Sequence, residues 1–331
     1  MRVVFYTNNV SPHQLPLAEE VASRVGREDF LYVGDELEWR GKLVETSVRT
    51  LRADDPEAKE WLENAEVMYT GGLRPVGLME RRARRGLKTL YYSERWFKPV
   101  RLLDLRLLDC LIEVTVPGWV RMFVPWYRKM ARRFVRLANA NECVRFLPVG
   151  PWARRDFLRM GVRAGKTIPW GYFVSPGAGE RRGRRKEGEP LKVLWAGRDV
   201  RLKRVEDIER AVALANGDSG KSAPVAFTKL TGIAPAEVRR AMREHDVFVL
   251  ASNGHEGWGA VVNEALEEGM DVIGTYEAGA SAAMLPQERL YHAGDARALA
   301  ALIGKEMRGE LPSCSIGEWT ARRAAERLLE S

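Results

Sequence analysis

The stretch from Val247 to Thr275 constrains the fold of this chain more than any other. Val247–Leu250 is a four-residue apolar run, the pattern of a strand buried on both faces in a parallel sheet. A polar loop follows, Ala251 to Trp258. Helical spacing then runs from about Gly259 to Glu268, with Val261, Val262, Ala265 and Leu266 on the apolar face. Gly269 stands where a left-handed C-cap is wanted, and a second apolar strand runs from Asp271 to Thr275. Strand, helix and strand in this order define a βαβ unit, so the chain is α/β with a parallel sheet.

The loop–helix junction in this unit carries chemistry. A helix start offers amides without intrahelical partners and the positive end of a dipole, which suits phosphate. Gly257 and Gly259 let backbone approach a ligand with no Cβ in the way. Glu256 lies at the carboxyl end of the strand, where open α/β sheets bind ligands. Glu264 lies about a turn and a half into the helix. Two carboxylates flanking a phosphate-binding turn suit a ligand with both phosphate and hydroxyl groups, and a nucleotide-sugar has both. An ordinary helix start with two solvated carboxylates has the same spacing.

The stretch Glu256-Gly257-Trp258-Gly259-Ala260-Val261-Val262-Asn263-Glu264-Ala265, followed by the strand at 271–275, resembles the E-x7-E signature of retaining GT-B glycosyltransferases, most closely glycosyltransferase family 4. The resemblance implies two Rossmann-like doubly wound domains facing across a cleft. It assigns Glu256 to the donor sugar hydroxyls, Glu264 to the ribose, and the amides around Gly259, Ala260 and Val261 to the diphosphate, with Gly257 and Trp258 also beside the donor. The family also places Gly-Arg and, about five residues on, Lys after the first strand of the second domain. Gly197, Arg198 and Lys203 stand there, after the buried strand Leu191–Ala196. The two cations would offset the charge on the leaving diphosphate, with no metal. Two features depart from the family. Gly279-Ala280-Ser281-Ala282 replaces its GG-x-x-E segment, and Ser93-Glu94-Arg95 stands where many members have a functional His.

A chain of 331 residues forms about two domains. The resemblance and the composition place an N-terminal domain at 1–174, a Pro/Gly-rich charged linker at 175–190 and a donor domain at 191–316. A last helix, 317–331, would cross back to the first domain. The net charge is +8, and it is uneven: residues 1–174 hold 30 Lys+Arg against 21 Asp+Glu, the rest 23 against 24. Acidic partners follow, whether phosphorylated ligands or an anionic membrane surface. A nucleic-acid partner rests on basicity alone and is not expected, although Arg181 to Lys186 form a basic run in the linker. Cys110, Cys143 and Cys314 lack metal or redox spacing, which fits a reducing cytoplasm. No metal site and no cofactor are expected, because the acidic pairs lack an Asp-x-Asp pattern.

In the first domain, residues 2–7 read as a strand, followed by Ser11 and Gln14 at capping-box spacing with Pro12 between them. Asn9 and His13 occupy this strand-end loop and are candidates for an acceptor-side cleft. Strands are expected at 30–33, 65–69 and 89–92. Gly71-Gly72 reads as a turn. Glu94, at the end of the last of these strands, is a candidate to accept the proton of an attacking hydroxyl; a local pair with Arg95 is the plainer alternative. Residues 117–138 interleave Trp, Tyr, Phe and Met with Arg and Lys, with a helix from Pro125. Such a helix either packs on its own sheet with a solvated basic face or lies on an anionic membrane.

The resemblance implies a retaining, metal-independent transferase moving a sugar from a nucleoside-diphosphate sugar to a saccharide or lipid-linked acceptor. It would serve cell-envelope polysaccharide or glycolipid synthesis, in the cytoplasm or on the inner face of the membrane. The same architecture also serves nucleotide-sugar 2-epimerases and binding proteins without turnover, and both alternatives stay open on the sequence.

Overall fold

The computed structural model describes residues 1–39, 42–107, 110–177, 185, 188–217 and 224–331, with residues 39, 42–43, 100–107 and 110–115 described as backbone. The chain divides into two compact units. Unit 1 is Met1–Phe173 with Ala321–Ser331, and unit 2 is Val174–Thr320.

Unit 1 contains β1 (Val3–Asn9), β2 (Phe30–Glu36), β3 (Glu38–Trp39), β4 (Lys42–Leu43), β5 (Thr50–Arg52), β6 (Val67–Gly71), β7 (Lys88–Ser93), β8 (Val100–Leu107), β9 (Cys110–Val116) and β10 (Val144–Pro148). Its helices are α1 (Leu15–Val25), α2 (Pro56–Asn64), α3 (Val76–Arg84), α4 (Pro125–Ala140) and α5 (Pro151–Met160). The six strands β10-β7-β6-β1-β2-β5 pair in parallel. They are near-continuous apolar runs because helices cover both faces. Val3, Val4 and Phe5 are fully buried, as are Leu31, Tyr32 and Val33. The ring of Tyr91 meets Phe134 and Phe146 at 4.8 and 5.0 Å, which seats α4 on the sheet.

Unit 2 contains β11 (Leu191–Ala196), β12 (Val225–Leu230), β13 (Val247–Leu250), β14 (Asp271–Thr275) and β15 (Leu290–Tyr291). Its helices are α6 (Val205–Asn216), α7 (Pro235–Glu244), α8 (Val261–Glu267), α9 (Gly279–Met284) and α10 (Ala296–Met307). The sheet order is β12-β11-β13-β14-β15, again parallel. The strand order reverses direction beside β11, so the chain runs on from the adjacent strands β11 and β13 toward opposite edges of the sheet, the switch point at which open α/β sheets bind ligands.

The last helix, α11 (Ala321–Glu330), belongs to unit 1. Arg24 of α1 pairs with its Glu326 at 3.1 Å, and Lys88 Nζ donates to the Leu329 carbonyl at 3.2 Å. It begins at Ala321 rather than Gly317.

Three local expectations change. The capping box at the start of α1 does not form. Helix α1 begins at Leu15, and Gln14 accepts instead from the Tyr69 hydroxyl at 3.0 Å. Ser11 Oγ accepts from the His13 amide at 3.3 Å. An extra parallel strand, β5, adds to the sheet edge, and β8 and β9 pair with each other in antiparallel fashion. Most of the expected linker, including the run from Arg181 to Lys186 apart from Arg185, lies outside the described residues.

Candidate functional site

In unit 2 the loops after β11 and β13 meet. After Gly197, whose amide donates to the Leu230 carbonyl at 3.0 Å, the chain makes a 3-10 turn over Arg201–Lys203. Arg204 then adopts a left-handed conformation, φ 48°, and its guanidinium pairs with Asp207 at 2.5 Å. The buried Asp207 thus stabilises an otherwise unfavourable backbone and fixes the turn. The Asn253 amide donates to the Leu202 carbonyl at 2.9 Å, stitching this turn to the loop after β13.

That stitch brings Lys203 Nζ into an ion pair with Glu256. Both side chains are largely buried, at 17% and 16% exposure. Ser252 Oγ donates to the same Glu256 oxygen at 3.2 Å, and the Ser252 carbonyl accepts from Thr275 Oγ1 at 2.5 Å. Ser252 and Thr275 therefore position Glu256 from β13 and β14. Neither stood out in the sequence, since a strand-end Ser or Thr is common and only the register places them together. Arg198 is exposed and forms no ion pair among the described residues.

Gly259 has φ 95°, and a Cβ there would lie 3.0 Å from Leu250 Cδ2. This is the one position of the motif where backbone geometry demands Gly. The indole of Trp258 is buried; its Nε1 donates to Asn263 Oδ1 at 2.8 Å and its ring lies 5.3 Å from that of Trp319. Trp258 therefore anchors the loop, and only its backbone is left for a ligand. Segment 279–282, which departs from the family pattern, supports the same loop. The Ala280 amide donates to the Trp258 carbonyl at 2.9 Å, and a Cβ at Gly279 would lie 2.6 Å from the Gly257 carbonyl oxygen.

Gly257, Ala260 and Val261 lead into α8, whose first turn leaves amides without intrahelical partners. The carboxylate of Glu264, partly buried on this helix, forms no hydrogen bond or ion pair among the described residues. Burial raises its carboxyl above the ordinary range, and the charge of Arg239 opposes that shift only in part. The next carboxylate along, Glu268, is buried but held by Arg239 and Arg243, each at 2.7 Å. The chain thus ion-pairs Glu268 with two arginines and leaves the Glu264 carboxylate open.

In unit 1 the carboxyl ends of β1 and β7 hold a second cluster. Glu94 accepts from the Tyr172 hydroxyl at 3.0 Å and pairs with Lys98. Burial first, then the charge of Glu94, keeps the Tyr172 phenol protonated, so it donates. The His13 ring stacks near Tyr172, centroids 6.1 Å apart, so Tyr172 links His13 to Glu94. Asn9, half-buried, offers its carbonyl to Thr7 Oγ1 at 2.6 Å. The plainer Glu94–Arg95 pair does not form; Arg95 turns to the buried Asp156 at 3.7 Å. Tyr172 and Lys98 escaped the sequence reading because they sit 78 and 4 residues from Glu94, with no motif to join them. Gly71 serves packing, since a Cβ there would lie 2.6 Å from the Tyr92 ring.

Among the described residues no three His, Cys, Asp or Glu side chains group as metal ligands, and no helix is long and apolar enough to cross a membrane.

Two parallel-sheet Rossmann-like units, with the C-terminal helix counted in the first, constitute the GT-B fold of glycosyltransferases. The lipopolysaccharide outer core galactosyltransferase WaaB, in its apo form, is similar with a TM-score of 0.67 and 12% identity, covering 100% of this chain and 98% of that one. Anabaena Alr3699/HepE in complex with UDP gives 0.60 and 12%, covering 100% and 95%. The α,α-trehalose 6-phosphate synthase of Burkholderia multivorans gives 0.52 and 12%, covering 99% and 93%. No family model and no curated protein matches the sequence.

Proposed function

We propose that the protein is a retaining, metal-independent glycosyltransferase of the family 4 type. It moves a sugar from a nucleoside-diphosphate sugar to a hydroxyl of a saccharide or lipid-linked acceptor, in cell-envelope polysaccharide or glycolipid synthesis. Its place of work is the cytoplasm or the inner face of the membrane. The observation that carries the reading is the meeting of Lys203 and Glu256 beside the Gly259 turn, with Glu264 left open on α8. A carboxylate for sugar hydroxyls, a cation for the diphosphate and a second carboxylate for ribose match the three polar groups of a nucleotide-sugar. The structure of HepE in complex with UDP-glucose supports the same ligand class, so UDP is the first base to try.

In this reading the acceptor hydroxyl attacks the anomeric carbon from the leaving-group face. The bond from that carbon to the phosphate oxygen breaks, and its electron pair leaves on the diphosphate. Lys203 and Arg198 stabilise that charge, Glu256 orients the sugar, and Glu94 takes the acceptor proton. Gly197, Gly257, Ala260 and Val261 let backbone approach the diphosphate.

The test is calorimetric titration with UDP, GDP, ADP and dTDP, first without and then with Mg²⁺, followed by product analysis with the matching nucleotide-sugar. Binding of one diphosphate without metal, lost in Lys203→Ala, is the expected result. Failure of all four to bind overturns the donor-site assignment, and binding only with Mg²⁺ overturns metal independence.

A further inference from the structure

The outer face of α4 and the 3-10 turn before it present a surface that the proposed reaction does not use. Residues 117–140 contain six Lys or Arg and no Asp or Glu. The helix packs on its own sheet, the first alternative left open by its sequence. Its inner face, Ala131, Phe134, Leu137 and Ala138, is buried in the core of unit 1. Yet Trp119, Phe123 and Trp126 are 52%, 68% and 56% exposed, with Val120 and Val124 beside them. Trp119 and Phe123 lie 5.9 Å apart, centroid to centroid, so they form one ridge.

This ridge is held rigidly. A Cβ at Gly118 would lie 2.2 Å from the Lys98 carbonyl, so the turn Gly118–Phe123 presses on backbone that only Gly permits. Tyr127 donates to the Trp96 carbonyl at 2.7 Å, and Arg128 Nε donates to the Met122 carbonyl at 3.3 Å. Three large apolar side chains kept in water on a fixed support call for a partner.

Charge identifies that partner. Arg128, Lys129, Arg132 and Arg136 line a groove of about 710 Å³ that continues from the ridge along α4. Arg128, Arg132 and Arg136 are spaced i, i+4, i+8 and so form one stripe, which is self-repelling in an isolated helix. None of the four has a carboxylate partner among the described residues. Arg133, on the side of the helix facing α3, is the one that pairs, with Glu80. Aromatic rings flanked by unpaired cations fit a surface that is apolar inside and phosphate-rich outside.

We propose that this face docks on a bilayer containing anionic phospholipid. Trp119, Phe123 and Trp126 sit at the boundary of headgroups and acyl chains, and Arg128, Lys129, Arg132 and Arg136 lie on lipid phosphates. Trp126 also walls a cavity of about 170 Å³ with Ser93, Arg95 and Trp96, so the docked face adjoins the Glu94 end of unit 1. The docking does not depend on the transferase reading.

The test is co-sedimentation of the full chain with vesicles of phosphatidylcholine, alone or with 30% phosphatidylglycerol, at 0.1 and 0.5 M NaCl. Binding to the anionic vesicles is expected to be at least tenfold tighter and to weaken with salt. Arg132→Ser with Arg136→Ser is expected to weaken it roughly tenfold or more, at about 1 kcal/mol per cation near the surface. Trp119→Ser, Phe123→Ser and Trp126→Ser together are expected to abolish the binding that survives 0.5 M NaCl. These exposed positions leave the fold intact, checked by circular dichroism, and leave nucleoside diphosphate affinity unchanged, which separates this result from the donor-site test. Four outcomes overturn the proposal. They are no binding to anionic vesicles by the folded protein, variants that bind as the wild type does, a wild-type dimer that the aromatic triple substitution dissociates, and duplex DNA binding tighter than vesicle binding.

Discussion

Glu264 is the residue at which stability and function pull apart. Its carboxylate is partly buried, raised above the ordinary range by that burial, and without a hydrogen bond or ion pair among the described residues. In the folded chain it holds its proton to higher pH than in the unfolded chain. Between the unfolded value, near 4.5, and the raised folded value, the native state binds more protons, so this group costs stability as the pH rises. Glu264→Gln stays neutral throughout and removes that cost. Thermal denaturation of the two proteins is expected to show the Gln variant gaining on the wild type as the pH rises above 4.5. The gap stops widening once the folded carboxyl has ionised. Ligand affinity moves the other way. A carboxylate holding both ribose hydroxyls makes two charge-assisted hydrogen bonds, at roughly 1.5 kcal/mol each. Glu264→Gln keeps one good acceptor and is expected to weaken nucleoside diphosphate binding about tenfold. Glu264→Ala loses both, for about a hundredfold. Calorimetry reads both numbers. Unchanged affinity in the Ala variant, or a Gln variant less stable than wild type at pH 8, refutes the reasoning.

Lys203→Ala is expected to weaken nucleoside diphosphate binding by about 1.5–3 kcal/mol, the worth of a charge-assisted contact. It should leave thermal stability within a degree or two, since Ser252 still holds Glu256; a large loss of stability with full affinity makes the pair structural. Gly259→Ala places a Cβ in left-handed backbone at about 1–2 kcal/mol and against Leu250. A thermal midpoint lowered by several degrees is expected, together with weaker diphosphate binding, and an unchanged midpoint contradicts the φ of 95°. Glu94→Gln is expected to cut sugar transfer more than tenfold at unchanged donor affinity. Intact turnover in a steady-state assay confines Glu94 to its bonds with Tyr172 and Lys98.

The unit β13–α8–β14 was legible in the sequence because its signals are local. Apolar runs, helical spacing and a terminal Gly each act within a few residues, and β13 and β14 lie where those signals put them. The spacing of Glu256 and Glu264 belongs to the same class, since eight residues across a loop and a short helix leave little freedom. What surrounds these carboxylates was legible only in part: the resemblance set Lys203 near the same ligand as Glu256, but no local signal pairs the two side chains. Lys203 reaches Glu256 across 53 residues of sequence, and Tyr172 reaches Glu94 across 78. Only the parallel register of the sheets brings such pairs together. Trp258 shows the limit from the other side. The motif marks it as a ligand neighbour, but its indole is taken up by Asn263 and Trp319. The periodicity of α4 likewise fixed that one face would be apolar, yet could not say that the sheet ends before Trp126 and leaves Trp119 and Phe123 in water. Sequence by itself determined the elements and the candidate carboxylates, because propensity and periodicity are short-range. Tertiary structure alone decided which charges are paired, which are left open and which apolar groups remain uncovered, because those depend on contacts between segments far apart in the chain.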